Sequence, residues 1–126
     1  MNVPEELWYS SDHEWVRLRD GSAVVGITDY AQDALGDIVF VQLSPLNTTV
    51  KAGDKLGEIE STKSVSEIYA PVSGTVASAN DALADAPELV NTDPYGDGWL
   101  VTIELSNDEE QKTLLDAAAY QALLEG

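Results

Sequence analysis

Glycine and proline divide this chain into short segments in which apolar and polar residues alternate, and this pattern restricts the fold more than any other feature. Alternation with a period of two is typical of β-strands that bury one face. Residues 13–28 predict two strands joined at Asp20-Gly21, a dipeptide that favours a hairpin turn. Further segments of the same kind predict the remaining strands; they are residues 37–43, 48–62 (with a turn at Ala52-Gly53-Asp54), 64–71, 73–80 and 98–105. The sequence therefore predicts a mainly β fold.

A short helix is predicted after the first hairpin, at residues 29–35. Asp29 is placed to cap its first turn, with Gln32 three residues later as in a capping box. Gly36 follows the last turn, where glycine commonly ends a helix because it adopts a positive φ without strain.

A second helix is predicted near the C-terminal end of the chain. Ser106 and Glu109 have the spacing of a capping box, and the acidic residues 108–110 suit the first turn of a helix. Leucine and alanine then recur at helical spacing up to Leu123. We expect one amphipathic helix of about four turns over residues 107–124, packed on the β-structure.

Length and composition predict a single domain over residues 1–126. The 126 residues include 44% apolar side chains, enough to build a core, and no serine- and glycine-rich stretch separates two units. The apolar runs are too short to span a bilayer. The N-terminal segment lacks both the apolar core of a signal peptide and the arginine-rich pattern of a transit peptide. We therefore expect a soluble cytoplasmic protein.

The charge balance limits the partners that such a chain can bind. It has 23 acidic and 6 basic side chains, for a formal net charge of −17. A surface of this sign repels phosphate backbones and anionic lipids, which argues against binding to nucleic acid or to a membrane. It favours partners with basic patches, and such contacts weaken as salt increases.

No group of residues in the sequence resembles a catalytic or metal centre. The chain has no cysteine and a single histidine, His13, which we interpret as a polar residue at the start of a strand. Ser10 and Ser11 are too near His13 in sequence to complete a catalytic triad, since neighbours along a strand face opposite ways. Residues 91–98 are rich in oxygen ligands but lack EF-hand spacing, and a turn is the better interpretation. We expect no catalytic residue and no metal site.

Lys63 stands between two predicted strands of similar character. In residues 57–71, GEIESTKSVSEIYAP, short apolar and acidic runs flank it, which predicts a hairpin with the lysine at or beside its tip. No other basic residue occurs from Ser64 to Gln111. A tip tolerates a bulky attachment that the middle of a strand does not. The residues by themselves leave open an ordinary surface lysine.

The order of residues around Lys63 resembles a known family. Residues 50–76, VKAGDKLGEIESTKSVSEIYAPVSGTV, are similar to lipoyl and biotinyl carrier domains in their turn, their hairpin lysine and their A-P-x-x-G-x-V segment. Within that group, the E-S-x-K-x-x-S pattern of residues 60–66 resembles the H proteins of glycine cleavage systems. The resemblance extends over nearly the whole chain and includes SDHEWV (11–16) and PELVNTDPYGDGW (87–99).

This resemblance implies a fold and an attachment site. The fold is expected to be a flattened β-barrel or sandwich of lipoyl-domain type (a barrel-sandwich hybrid), with short helices and a C-terminal helix. Lys63 is implied as the residue that carries covalently attached lipoate, as N6-lipoyllysine. The residues implied to be recognised by the lipoate ligase or lipoyltransferase are Glu60, Ser61, Thr62, Ser64 and Ser66.

The resemblance also implies a carrier that is not itself an enzyme. In this family a PLP-dependent glycine decarboxylase loads an aminomethyl group onto the lipoyl arm, an aminomethyltransferase passes the one-carbon unit to tetrahydrofolate, and dihydrolipoyl dehydrogenase reoxidises the arm. The loaded arm rests in a polar cleft, for which the matching residues are Glu14 and Glu67, with Asp12 nearby. The sulfur atoms arrive with the cofactor, which agrees with a chain that has no cysteine.

Other functions on similar scaffolds are the alternatives. A biotin carrier usually has methionine on both sides of the lysine, whereas Thr62 and Ser64 flank Lys63 here. A lipoyl domain of a 2-oxo acid dehydrogenase typically has an E-T-D-K-A-like tip and a Pro/Ala-rich linker, and the sequence has neither. A lipoate donor that relays the group to other enzymes, and an unmodified acidic interaction module, both remain open.

Three positions depart from the usual pattern of the family. Asp12 stands where serine or threonine is common, Thr62 where valine is common, and Tyr30 where many members have histidine. These departures bear on how the arm docks, not on where it is attached.

Overall fold

The computed structural model describes residues 2–106 and 112–125. The strands are β1 (Trp8–Tyr9), β2 (Glu14–Arg19), β3 (Ser22–Ile27), β4 (Ile38–Leu43), β5 (Thr49–Val50), β6 (Lys55–Ser61), β7 (Val65–Tyr69), β8 (Gly74–Ala79) and β9 (Val101–Leu105). The helices are α1 (Asp29–Leu35), α2 (Ala82–Asp85), α3 (Leu89–Thr92) and α4 (Ala117–Glu125). Within these ranges no helix has the length and apolar character needed to cross a membrane.

The strands form two antiparallel sheets, which confirms the prediction of a mainly β fold. Six strands pair in the order β1-β2-β3-β9-β8-β5, and three pair in the order β4-β6-β7. The sheets are separate and do not close into one barrel. Their inner faces share one apolar core, in which Val25, Ile59 and Ile103 are fully buried. Among the described residues, the three-stranded sheet therefore packs on the larger sheet with one face and exposes residues such as Phe40 and Glu60 on the other.

The first hairpin forms where the sequence predicts it. β2 and β3 pair from Glu14↔Ile27 to Arg19↔Ser22, so that Asp20 and Gly21 make the turn. Both turn residues have a positive φ, 34° for Asp20 and 84° for Gly21. Glycine and aspartate adopt this backbone geometry at low cost, which is why the dipeptide specifies the turn.

Helix α1 has the predicted bounds but a different cap. The hydroxyl of Thr28 accepts a hydrogen bond from the N–H of Ala31 at 3.2 Å, so Thr28 and not Asp29 is the N-cap. Asp29 lies in the first turn, where its carboxylate accepts from Gln32 Nε2 at 2.7 Å. Gly36 ends the helix with φ 85°, as predicted.

The C-terminal helix begins later than predicted. The first part of the predicted span, residues 107–111 with Glu109 of the capping box, lies outside the described residues. In the part from residue 112 onward, the α-helix begins only at Ala117. Leu115 precedes it and pairs with Tyr9 of β1, through N–H···O bonds of 2.7 and 2.8 Å. Because its backbone groups are engaged with a strand, Leu115 does not join the helix. Asp116 caps the helix instead, accepting from the N–H of Ala119 at 2.8 Å.

Candidate functional site

Lys63 lies at the exposed tip of the β6–β7 hairpin, which confirms the predicted hairpin. The two strands pair from Lys55↔Tyr69 to Glu60↔Val65, and the chain turns through the residues between them. The side chains of Thr62, Lys63 and Ser64 are exposed. An exposed lysine at the end of a rigid ribbon is accessible to a large modifying enzyme.

Ser61 fixes the backbone of this tip. Its hydroxyl accepts from the N–H groups of Lys63 and Ser64, each at 3.1 Å, and can donate to the carbonyl of Ser64 at 3.2 Å. The N–H of Ser61 donates to the same carbonyl at 2.8 Å. One buried hydroxyl therefore organises the turn that carries the lysine, which gives this predicted site residue a structural role.

The tip also rests on the end of helix α1. The N–H of Thr62 donates to the carbonyl of Asp37 at 3.0 Å. A Cβ built on Gly36 would lie 2.6 Å from Cε of Lys63, so the lysine stem passes directly over this glycine. Sequence reasoning treats Gly36 only as the end of a helix; its contact with Lys63, 27 residues later, has no local signal.

Within the described residues, no carboxylate forms an ion pair with the amine of Lys63. The salt bridges of this part of the chain both involve Lys55, which contacts Glu58 and, at 3.9 Å, Glu67. No described carboxylate therefore masks Nζ of Lys63, which is available as a nucleophile once it loses a proton.

The other predicted hairpin residues have different environments. Glu60 is exposed and lies between Phe40 of β4 and Val65 of β7 in one cross-strand row. Phe40 and Val65 are also exposed, at 54% and 58%. Ser66 pairs with the buried Ile59 and is half-buried, so it faces the core side of the sheet rather than the tip.

Glu14 is the buried carboxyl of the predicted cleft. It is only 2% exposed, and it accepts hydrogen bonds from Ser10 Oγ at 2.6 Å and from the N–H of Tyr69 at 3.3 Å. Since Glu14 belongs to β2 and Tyr69 to β7, this carboxyl joins the two sheets. The pKa of Glu14 is raised to about 7, chiefly because the carboxyl is buried. The hydrogen bonds from Ser10 and Tyr69 lower this pKa, and the charge of Asp12 raises it.

Glu67 and Asp12 lie on the exposed side of the same region. The hydroxyl of Tyr69 donates to Glu67 Oε2 at 2.8 Å, so Tyr69 contacts Glu67 with its side chain and Glu14 with its backbone. Asp12 is exposed. The pKa of Tyr69 is raised chiefly by its hydrogen bond to Glu67, and the charge of Asp12 adds a smaller contribution there and at Glu14. The structure thus groups the three carboxyl residues around Tyr69, a residue that sequence reasoning did not single out.

Comparison with known proteins identifies the family. The sequence profile described as glycine cleavage H-protein matches residues 7–126. A glycine cleavage system H protein of Salmonella arizonae is 57% identical over 125 residues, covering 98% of this chain and 97% of that protein. One from Anaeromyxobacter is 51% identical over 125 residues, covering 99% and 98%. The crystal structure of a glycine cleavage system H protein from Mycobacterium marinum has a TM-score of 0.89 at 41% identity, covering 98% of this chain and 100% of that one. The chain therefore belongs to the glycine cleavage H-protein family.

Proposed function

We propose that this protein is the lipoyl-bearing carrier of a glycine cleavage system, with lipoate joined to Lys63 by an amide bond. The observation that carries the proposal is the exposed Lys63, which forms no ion pair with any described residue, on a hairpin tip that Ser61 fixes. These features fit the attachment of an acyl group, because the amine is reachable and the ribbon beneath it is rigid. Attachment removes the positive charge of the lysine, and no ion pair between described residues is lost.

Lipoate on Lys63 would supply a disulfide that takes up the aminomethyl group of glycine at a PLP-dependent decarboxylase, gives it up at an aminomethyltransferase, and is reoxidised at dihydrolipoyl dehydrogenase. The protein contributes the rigid hairpin, on which a flexible arm visits several active sites at high local concentration. Its net charge of −17 supports docking to partners that present basic patches.

Glu14, Glu67 and Asp12 are proposed to hold the amine of a loaded arm. A cationic amine placed against Glu14 favours the ionised form of that carboxyl, whose pKa burial otherwise raises to about 7. The hydrogen bonds from Ser10 and Tyr69 keep the Glu14 carboxyl oriented for this contact. Asp12, where serine or threonine is more usual, adds negative charge at the rim.

Intact mass after co-expression with a lipoate ligase, in medium containing lipoate, tests the attachment. The parent is expected to gain one lipoyl group and the Lys63→Arg variant none. No gain by the parent, under conditions that modify an established acceptor, would contradict the proposal and leave Lys63 a surface lysine.

A second measurement separates the carrier from a lipoate relay protein. The lipoylated protein is incubated with glycine and the PLP-dependent decarboxylase, and its mass is measured again. A carrier gains an aminomethyl group in this reaction, whereas a protein that only donates lipoate to other enzymes does not.

A further inference from the structure

We infer that Gly36 is a positioning residue for Lys63, and that Asn91 holds Gly36 in place. The surface of Gly36 forms a seat for the lysine stem, so that the ε-amine is presented in a preferred direction. The inference deepens the proposed function, on which it rests, because it concerns how Lys63 meets the enzyme that acylates it.

The contact between Gly36 and Lys63 involves the outer end of the lysine side chain. A Cβ on residue 36 would lie 2.6 Å from Cε, 3.5 Å from Nζ and 3.8 Å from Cδ of Lys63. The space that any other side chain would fill is therefore taken by the lysine. Gly36 also has φ 85° and ψ −157°, a backbone conformation that is essentially restricted to glycine. The backbone conformation makes this position specific for glycine, and a side chain here would displace the end of the lysine.

Asn91 on α3 fixes the seat from the other side. Its Nδ2 donates to the carbonyl of Gly36 at 2.9 Å and to Gln32 Oε1 at 3.0 Å. Its Oδ1 accepts from the N–H of Ile38 at 2.9 Å. The half-buried side chain of Asn91 thus hydrogen-bonds to Gly36, to Gln32 within helix α1 and to Ile38 after it. None of these contacts involves the hairpin directly, so Asn91 acts on Lys63 through the backbone of residues 36–38.

The seat and the hairpin tip are tied together. The N–H of Thr62, the residue before Lys63, donates to the carbonyl of Asp37, the residue after Gly36, at 3.0 Å. The start of the lysine stem and the surface on which it rests therefore keep one relative position.

A seated stem should speed acylation. The reaction forms an N–C amide bond between Nζ of Lys63 and the carbonyl carbon of a lipoyl-adenylate and breaks the C–O bond to AMP, which leaves as the phosphate anion. Two of the three ammonium protons are released to solvent. The ligase makes the adenylate from ATP and lipoate, with release of pyrophosphate. A lysine side chain that moves freely loses much rotamer freedom when it enters an active site. A side chain that already rests on Gly36 has fewer rotamers to lose. The seat should therefore raise kcat/KM for ligation.

The first test compares Gly36→Ala with Gly21→Ala. Gly21 also has a positive φ, 84°, with nothing within 4 Å of a Cβ, so it controls for the strain of placing alanine at a positive φ without touching Lys63. Ligation by a lipoate ligase is followed by intact mass. We expect kcat/KM to fall roughly three- to tenfold for Gly36→Ala and to change less than about twofold for Gly21→Ala. An unchanged or faster Gly36→Ala, or an equal loss in both variants, would overturn the inference.

The second test needs no ligase and separates this inference from the proposed function. Carbon-13 relaxation is measured at Cε of Lys63 in the unmodified parent, Gly36→Ala and Asn91→Ala, with the exposed Lys51 as the internal reference. We expect Lys63 to be more restricted than Lys51 in the parent and to approach Lys51 in both variants. If Lys63 is as mobile as Lys51 in the parent, the seat does not exist, whether or not Lys63 is lipoylated. If Lys63 is restricted but the parent is never acylated, the seat stands and the carrier function fails.

Discussion

The ring nitrogen Nδ1 of His13 lies 2.8 Å from the hydroxyl of Tyr120, a residue 107 positions later in the chain. The same hydroxyl lies 2.7 Å from Oγ1 of Thr28, the cap of α1, and the Tyr120 ring stacks on Tyr9 at 4.7 Å. The His13 side chain therefore links the loop before β2 to helix α4 through Tyr120. The pKa of His13 is lowered, chiefly by burial. This agrees with its interpretation as a structural polar residue.

Tyr120→Phe is expected to destabilise the fold by about 1–3 kcal/mol. The substitution keeps the stacking on Tyr9 but leaves His13 Nδ1 and the hydroxyl of Thr28 without their common partner. The free energy of unfolding, from urea denaturation, measures the effect. Tyr30→Phe is a matched control, since Tyr30 contacts the His13 ring through its own ring. Equal stability of the two variants would show that the hydroxyl of Tyr120 contributes nothing.

Glu14→Gln is expected to change how stability depends on pH. The folded-state pKa of Glu14 is about 7, above the ordinary value of 4.5, so the folded protein binds this proton more tightly than the unfolded chain does. The contribution of Glu14 is therefore full below pH 4.5 and is lost as pH rises to about 7. Relative to Glu14→Gln, the parent should lose about 2–3 kcal/mol of unfolding free energy between about pH 5 and pH 8.

This comparison is made by urea denaturation at several pH values, with Glu60→Gln as the control for the loss of one exposed carboxylate on β6. The difference between the parent and Glu14→Gln should follow a single titration. A difference that stays constant over this range would mean that Glu14 does not titrate there.

Ser61→Ala is expected to loosen the hairpin tip. The hydroxyl accepts from the N–H groups of Lys63 and Ser64, and its loss should cost about 1–2 kcal/mol of stability. Amide hydrogen exchange at these two residues should become faster, because their N–H groups lose the hydrogen bond that protects them and become accessible to water. Ser64→Ala removes an exposed hydroxyl from the same turn and should leave the exchange of Lys63 unchanged. Equal exchange in both variants would exclude the proposed role of Ser61.

Gly57→Ala is expected to destabilise the hairpin from its base by about 2–3 kcal/mol. A Cβ on Gly57 would lie 2.4 Å from the backbone oxygen of Gln42 and 3.1 Å from Cα of Leu43, so β4 must move away from β6. Gly53→Ala, which has open space around the new Cβ but a φ of 95° that strains alanine, shows the cost of backbone strain without steric overlap. Thermal or urea unfolding measures both. A loss of less than about 0.5 kcal/mol for Gly57→Ala would mean that the strands yield without cost.

Local features of the fold are predictable from sequence because their causes are local. The Asp20-Gly21 turn, the bounds of α1 and the hairpin around Lys63 each depend on residues within a few positions of one another. The predicted cap of α1, Asp29, is one residue later than the observed cap, Thr28. Thr28 and Asp29 are both suitable caps, and the backbone direction after β3 decides between them.

The start of helix α4 shows where local reasoning fails. Apolar spacing continues through Leu114 and Leu115, which favours a helix there, but Leu115 instead extends the sheet at Tyr9. The competing hydrogen bonds come from a strand more than 100 residues earlier. No window of sequence around Leu115 contains that partner.

The sequence by itself determined the β pattern, the turns, and the position of Lys63 at the end of a ribbon, because side-chain alternation and turn residues act between neighbours in the chain. Only the tertiary structure decided what surrounds that ribbon. It brings Gly36 beneath the Lys63 stem and places the buried carboxyl of Glu14 against Tyr69 of the other sheet. These contacts depend on how two sheets and a helix end pack on one core, and packing joins residues whose separation in sequence carries no signal of the contact.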